Sequence, residues 1–503
     1  MDNQNVYKLF ESRFPADRSR SFIETEQGDI YRYADLEQAS ARVARFLSEL
    51  GIGKGERVAV QVEKSPQALF LYLGCLRAGL IYLPLNTAYL EQELDYFLGN
   101  AEPKAVVCDP AKHGSMEELA RRNGVAHVLT LDADGAGSLS ERSAATPARF
   151  DAVDCRRDDV GVILYTSGTT GKPKGAMISH GNLAANALAL HQFWGWRPDD
   201  VLLHALPIFH IHGLFVACHC VLLNGTGMLF VRKFDVAALR RLLPRATVLM
   251  GVPTFYSRLL ADPDFGREDC RNMRLFISGS APLLEQTFNE FRERTGHTIL
   301  ERYGMTETGM NTSNPLDGAR IAGTVGLPLP GVSVRVTADR DQPLATGTVG
   351  NLQVKGDNVF QGYWRMPEKT AEEFTDDGYF RTGDLGRIDP NGYVSIVGRG
   401  KDMVITGGYN VYPKEVESII DAMDGVVESA IIGLPHADFG EMVAAVVVPD
   451  AGSPAPDEAQ IIAALKGKLA GYKVPKRVFF ADSLPRNTMG KVQKNLLRDQ
   501  YTE

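Results

Sequence analysis

Apolar residues fall at helical spacing over Tyr33–Leu50, where Leu36, Val43, Phe46, Leu47 and Leu50 share a face and Gly51 stands where the helix would stop. The apolar run Arg57–Val62 then predicts a strand, Pro66–Ala78 a helix and Ala105–Cys108 a second strand, the βαβ rhythm of a layered α/β domain. Gly135–Arg149 is small, polar and irregular, and predicts a surface loop. The rhythm resumes with an apolar strand from Val160 to Leu164, a helix over His180–Phe193, a strand Met228–Val231, a helix Asp235–Leu243, a strand Thr247–Met250 and a helix Leu283–Arg294. No fixed-period repeat is evident.

From Val332 the pattern shifts to short strands and glycine turns, Val332–Val336, Gly350–Val354 and Tyr393–Ile396, which predict a β-rich subdomain. Past Lys401 the chain alternates again: helix Pro413–Ala422, strands Val426–Gly433 and Val443–Pro449, helix Asp457–Leu469, strand Val478–Phe480 and helix Val492–Arg498. The fold class expected is therefore α/β, with a large N-terminal domain of layered sheets and a β-rich subdomain over residues 1–400, and a small α+β cap over 401–503. A chain of 503 residues is long enough for this division, since one core rarely exceeds ~250–300 residues.

No formally charged residue lies between Asp200 and Arg232. Pro207, Gly213, Asn224, Gly225, Gly227 and four histidines interrupt that stretch, so it predicts a buried helix followed by a turn and strand in preference to a membrane span. Within it His210, His212, Cys218, His219 and Cys220 have metal-ligand chemistry, but on a helix neighbouring positions face apart, and buried free cysteines are the better reading. His212 reads as a packed core histidine.

A net charge of −8, with 44% hydrophobic and 23% charged residues, gives no basic excess for nucleic acid or an anionic membrane, so neither is expected as a partner. Six sparse cysteines and an N-terminus without a signal-like apolar core lead to the expectation of a cytoplasmic location.

The candidate chemistry centres on Tyr165–Ala176, YTSGTTGKPKGA. Gly168, Gly171 and Gly175 free the backbone to turn its N–H groups inward, Thr166, Ser167, Thr169 and Thr170 add donors, and Lys172 and Lys174 add charge. This suits a phosphate chain. It is not a P-loop, because only two residues separate Gly168 from Gly171 and Pro173 stands where a magnesium-binding hydroxyl is needed.

The loop resembles the phosphate-loop signature of the adenylate-forming acyl-CoA synthetase superfamily, and further stretches resemble its other signatures in family order. In Glu301–Glu307, which follows the probable strand end Thr298-Ile299-Leu300, the resemblance places Tyr303 by adenine, Thr306 on the α-phosphate and Glu307 on Mg2+, the last two counted as catalytic. Ser278-Gly279-Ser280-Ala281-Pro282 is similar to the adenine-side loop, with Ser280, Ala281 and Pro282 toward the nucleotide and Ser278 toward the substrate. Asp384 in Tyr379–Gly386 takes the position that accepts from both ribose hydroxyls, Arg399 the ribose-binding arginine, and Lys401 the interdomain hinge. Gly407, Gly408 and Tyr409 fall in the loop that lines the pantetheine tunnel for CoA, and Lys491 in Pro485–Lys491 matches the catalytic lysine. His210 matches a residue lining the acyl pocket.

The resemblance implies ATP, Mg2+ and CoA as cofactor and co-substrates, a mobile C-terminal cap that serves two half-reactions in turn, and Lys491 as a possible target of a lysine acetyltransferase. Arg302 narrows the substrate. Many relatives carry a small residue there, whereas a guanidinium suits a second carboxylate, as in malonyl-CoA synthetases, which this motif resembles. The expected activity is malonyl-CoA formation from malonate, with methylmalonate unseparated. Alternatives are a monocarboxylate or aryl-CoA synthetase, a stand-alone amino-acid adenylation enzyme, or an ATP-binding protein without turnover. Arg302 pairing only with Glu301 or Glu307 is the structural alternative for that residue.

Overall fold

Two stacked sheets carry the first two-thirds of the chain in the structure, a computed structural model that describes residues 3–502 apart from 167–172, 407–408, 437–438, 467, 470 and 488–489. Among the described residues one sheet runs His127–Thr130, Ala105–Cys108, Arg57–Gln61, Ile81–Pro84, Val160–Thr166 and Lys174–Ser179. Its first five strands pair in parallel and its last two are antiparallel. Helices cover such strands on both faces, which is why they read as continuous apolar runs and lack alternation.

The second sheet has the order Leu327–Pro328, Gly309–Ser313, Leu300–Met305, Leu275–Ser278, Val248–Gly251, Val201–His204, Gly227–Phe230, Ser21–Thr25 and Ile30–Arg32. Its centre is parallel and its two margins are antiparallel hairpins. Helix Pro66–Arg77 is buried along almost its whole length, as its unbroken apolar composition requires, with Ser65 capping its start. Its Tyr72 hydroxyl meets His219 Nε2 at 2.8 Å. The core is thereby continuous from the first sheet to the second.

Val332–Thr337, Gly350–Gly356, Phe380–Ile388 and Val394–Arg399 make an antiparallel sheet, the β-rich part that the glycine turns predict. Beyond it, Tyr409–Val411, Val404–Thr406, Gly440–Pro449, Val426–His436 and Arg477–Phe480 form the sheet of a smaller C-terminal domain with its own apolar clusters on either face. The fold is the α/β architecture expected, a large N-terminal domain with a smaller C-terminal one.

Three local expectations change. The segment read as a loop over Gly135–Arg149 contains helix Ser138–Ala144, whose Leu139 and Ser143 are buried; one apolar anchor in seven residues carries too little periodicity to show in sequence. Thr298–Leu300 is not the end of a strand, because the strand begins at Leu300 and runs through Arg302 and Tyr303 to Met305. The uncharged stretch has the helix and strand foreseen, but the helix starts as a wide π-turned segment, His212–Cys218, before continuing as His219–Asn224. Gly213 allows this: a Cβ there would lie 2.0 Å from the Pro207 carbonyl oxygen.

Candidate active site

The phosphate-loop candidate spans the turn of a hairpin, since Val160–Thr166 pairs antiparallel with Lys174–Ser179. Ser167, Gly168, Thr169, Thr170, Gly171 and Lys172 lie outside the described residues, as do Gly407 and Gly408. At the hairpin stems, Thr166 Oγ1 donates to the Lys174 carbonyl at 3.5 Å. The Lys174 ammonium sits 4.2 Å over the Tyr363 ring and 3.5 Å from Glu373.

Tyr363 links this stem to Glu307, donating its hydroxyl to Oε1 at 3.0 Å. Glu307 is buried, which raises its pKa, and forms no ion pair among the described residues. Nearby, the Tyr303 hydroxyl donates to Asp384 Oδ2 at 2.5 Å, and Arg399 Nε forms an ion pair with Oδ1 at 3.0 Å. Asp384 and Arg399 stand opposite each other in the third sheet, so strand register makes their pairing possible. Thr306 borders a small cavity between the second sheet and helix His180–Phe193, alongside Asn186 and Asn358.

Lys491 comes from the C-terminal domain. Asn487 grips its backbone from both sides, donating N–H to the Lys491 carbonyl at 2.9 Å and accepting from Lys491 N at 3.0 Å. The ammonium is held below the usual lysine range by burial first and then by Arg399, while Asp384 and Glu307 act in the other direction. The C-terminal domain thus delivers its lysine into the N-terminal site. Lys401 is exposed on the single turn Gly400–Asp402, and Tyr409 is exposed and stacked at 4.7 Å on Tyr472.

The other end of the site is built differently. Strand alternation sends Glu301 and Arg302 to opposite faces. Glu301 Oε1 accepts from Leu283 N at 3.1 Å, and burial pushes its carboxyl up to about 8. Arg302, only 3% exposed, has no carboxylate partner among the described residues, so neither Glu301 nor Glu307 pairs with it. Its Nε and Nη2 are buried without any hydrogen-bond partner among the described residues, and burial lowers the guanidinium to about 9. Those two nitrogens are the parallel donors of a side-on fork, the geometry that a carboxylate matches.

Gly279 makes room for this guanidinium, since a Cβ there would lie 2.6 Å from Arg302 Cζ. Next to it Ser280 holds a left-handed backbone, φ 74°, and its hydroxyl meets His212 Nδ1 at 3.2 Å. Ser278 Oγ and His212 Nε2 are also buried without partners among the described residues. His210 Nδ1 accepts from His212 N at 3.3 Å; burial, Lys491 and Arg302 hold its imidazole down to about 3, so it is neutral. Ala281 and Pro282 follow on the same loop, exposed to intermediate degrees in the case of Ala281 and fully in that of Pro282.

The structure thus gathers Arg302, His210, Ser278, Ser280, Tyr303, Glu307, Asp384, Arg399 and Lys491 from six separate stretches of chain. Sequence reasoning missed Tyr363, named Gly279 only within its loop and gave it no part beside Arg302, and treated His212 as core. Gly279 had a signal, a lone glycine at a strand end; Tyr363 had none. The histidines and cysteines of the uncharged stretch go to different partners: His219 to Tyr72, and His204, not foreseen, to Gly213 O at 2.9 Å and Cys218 Sγ at 3.4 Å. Among the described residues no helix is long and apolar enough to cross a membrane.

Comparison with known proteins agrees with this geometry. Residues 12–364 match the AMP-binding enzyme family and residues 415–491 match the AMP-binding enzyme C-terminal domain. A malonate–CoA ligase of Arabidopsis thaliana is 34% identical over 94% of this chain and 84% of its own. A feruloyl-CoA synthase of Amycolatopsis is 35% identical over 94% of each. The crystal structure of ATP-bound MatB from Rhodopseudomonas palustris superposes with a TM-score of 0.97 at 57% identity, covering 100% of this chain and 99% of that one. On its sequence, its fold and the residues gathered in its cleft, the chain belongs to the AMP-binding enzyme family.

Proposed function

We propose that the protein is an ATP-dependent acid–CoA ligase that forms malonyl-CoA from malonate and CoA through a malonyl-adenylate, releasing AMP and pyrophosphate. The observation that carries the substrate is the buried, unpartnered fork of Arg302. Burying a guanidinium without a counter-charge costs several kcal/mol in order-of-magnitude terms, and a second carboxylate, one methylene from the first, removes that cost. An acid with one carboxylate leaves the fork empty. Similar identities to a malonate and a feruloyl ligase do not separate the two substrates, and the fork supports the dicarboxylate.

In the first half-reaction a carboxylate oxygen of the acid attacks the α-phosphorus of ATP, the bond to pyrophosphate breaks, and pyrophosphate leaves with the electron pair. Lys491, whose ammonium feels the charges of Asp384 and Glu307, is assigned to bridge the attacking carboxylate and the α-phosphate. No protein nucleophile is required, so the site's work is positioning and charge stabilisation. Asp384 retains lone pairs for the ribose hydroxyls beside those used by Tyr303 and Arg399. Magnesium neutralises phosphate charge when bound, and the unpaired buried carboxyl of Glu307 is a donor that fits so hard a cation. The hairpin loop from Thr166 to Lys174 and the Ser280–Pro282 turn are assigned to the nucleotide.

In the second half-reaction the CoA sulfur attacks the activated carbonyl and AMP leaves. The roles assigned to Lys401 as hinge between residues 1–400 and 401–503, and to Gly407, Gly408 and Tyr409 along the CoA path, belong to this step. Lys491 is also assigned as the residue through which an acetyltransferase would silence the first step. ATP–pyrophosphate exchange over short mono- and dicarboxylates tests the proposal: malonate should give the highest kcat/KM, and an equal or better response to propionate or an aryl acid would overturn it.

A further inference from the structure

The loop that carries Lys491 is fastened by side chains that touch neither nucleotide nor acid. Arg486 and Val492 form an antiparallel bridge, Asn487 N donates to the Lys491 carbonyl at 2.9 Å, and Gln493 N donates to Pro485 O at 2.8 Å. Lys491 therefore leaves the returning arm of a closed loop, directly after Gly490. Gly490 holds φ 74°, a left-handed backbone that glycine adopts without steric cost. A Cβ there would lie 3.7 Å from Thr254 Oγ1, so this part of the loop faces helix Pro253–Leu260 of the N-terminal domain.

The peptide bond joining Gly490 to Lys491 is held at both of its polar ends. Its carbonyl accepts from Arg486 Nη1 at 2.5 Å, and its N–H donates to Asn487 Oδ1 at 3.0 Å. A peptide unit is planar, so fixing both ends fixes the direction in which the lysine side chain departs. Arg486 has a second arm: its Nη2 donates to Glu428 in strand Val426–His436 of the C-terminal sheet. The helix that follows, Lys494–Tyr501, has ties of its own, Lys494 to Glu417 and Arg498 to Asp402. The Arg486 link runs instead from the sheet to the turn that presents Lys491.

We propose that Arg486 is a positioning residue for acyl-adenylate formation: by holding the Gly490 carbonyl against an anchor on the C-terminal sheet, it sets the direction from which Lys491 enters the site. This rests on the reading of Lys491 as the cation of the first half-reaction, and gives the placing of that cation to a second side chain. A lysine on a loosened loop occupies the reactive position for less of the time, and the rate falls accordingly. The second half-reaction does not use Lys491 and so does not need Arg486.

Pyrophosphate exchange, and thioester formation from supplied malonyl-adenylate, test this in Arg486→Ala, Arg486→Lys, Glu428→Ala, Lys491→Ala and the Arg486→Ala/Lys491→Ala double variant. Arg486→Ala should lower kcat for adenylation about ten- to one-hundred-fold, with KM for ATP and malonate within about threefold and thioester formation within about twofold. Arg486→Lys should recover part of the loss, because an ammonium lacks the fork that reaches both partners. Glu428→Ala, which removes the anchor and keeps the arginine, should show the same split at about three- to tenfold, and decides the matter if Arg486→Ala folds poorly. In the Lys491→Ala background Arg486→Ala should add less than about twofold, since no lysine is left to place. Equal loss of both half-reactions, a full further loss in the Lys491→Ala background, or unchanged adenylation in folded Arg486→Ala and Glu428→Ala would overturn the proposal. If Lys491→Ala abolishes adenylation in that event, the reading of Lys491 stands and only the part of Arg486 falls; if Lys491→Ala leaves adenylation intact, that reading itself fails.

Discussion

Arg274 and Arg302 sit at opposite ends of neighbouring strands in one sheet, and their surroundings are opposite too. At the amino end, Arg274 immediately precedes Leu275–Ser278 and gives Asp200 a two-point bond, 2.6 Å from Nη2 and 3.1 Å from Nε. Asp200 is 1% exposed and accepts further from Thr247 Oγ1 and Arg197 N. At the carboxyl end, Arg302 offers the same two nitrogens to no partner among the described residues. The amino end of the sheet is a closed polar network that serves the fold. The carboxyl end, where ligands of open α/β sheets gather, is an open one. The difference teaches that a buried charge by itself does not mark function; its missing partner does.

The sharpest test of that contrast exchanges the consequences of losing each arginine. Arg302→Ala should lower malonate kcat/KM roughly a hundred-fold to several thousand-fold, corresponding to ~3–5 kcal/mol, with propionate far less affected. Arg302→Lys should rescue only partly, because an ammonium lacks the planar fork. Arg274→Ala should instead destabilise the fold by ~3–5 kcal/mol, since it strands the buried Asp200, while activity per folded molecule holds. Chemical denaturation and kinetics read the two effects separately. Activity lost in the Arg274 variant, or stability alone lost in the Arg302 variant, breaks the comparison.

Lys491, like Arg302, has no ion pair among the described residues, and it should behave like Arg302 in being needed for chemistry, but in one step only. Lys491→Ala should reduce acyl-adenylate formation ~10²–10³-fold while sparing thioester formation from supplied acyl-adenylate. Pyrophosphate exchange and single-turnover thioester assays distinguish this from equal loss of both. Acetylation should mimic alanine, whereas methylation, which keeps the charge, should not. The pH dependence has a definite sign: the ammonium is the working form and its pKa lies below the lysine range, so adenylation should fall as pH rises through that lowered value. Lys491→Arg should shift the decline to higher pH.

A smaller and opposite split is expected at the exposed turn Gly400–Asp402. Lys401→Pro restricts φ near −65° and should slow the second half-reaction about tenfold or more while adenylation persists. Normal overall turnover would place the hinge elsewhere. The smallest effect belongs to the closed network nearest the site: Tyr303→Phe removes one bond to Asp384 and should raise the KM for ATP about three- to tenfold, with no change in preference between malonate and propionate. A change in acid preference there would mean that the nucleotide and acyl ends are not separate.

Much of the site was legible because the chemistry lies in short contiguous stretches. Gly-rich turns, a Glu-Arg-Tyr-Gly run and an exposed lysine near the C-terminus keep their meaning without the fold. Helix His180–Phe193 and strand Ala105–Cys108 appear with the bounds that periodicity and apolar runs predict. Where the signal was a single anchor, as with Leu139 in helix Ser138–Ala144, it was not enough. The π-turned start of the buried helix was also invisible, because it depends on Gly213 meeting Pro207 across a loop.

By itself, then, the sequence determined which residue types the site contains, their order, and the alternation of helices and strands that carries them, since these depend on local spacing alone. Tertiary structure decided which charges are paired. Glu301 and Arg302 are adjacent in sequence, yet strand alternation sends one to Leu283 N and leaves the other buried without a partner among the described residues. Arg274 and Asp200 are far apart in sequence, yet sheet packing joins them. Whether a guanidinium is satisfied depends on what the fold brings within about 3 Å of it, and no spacing along the chain encodes that.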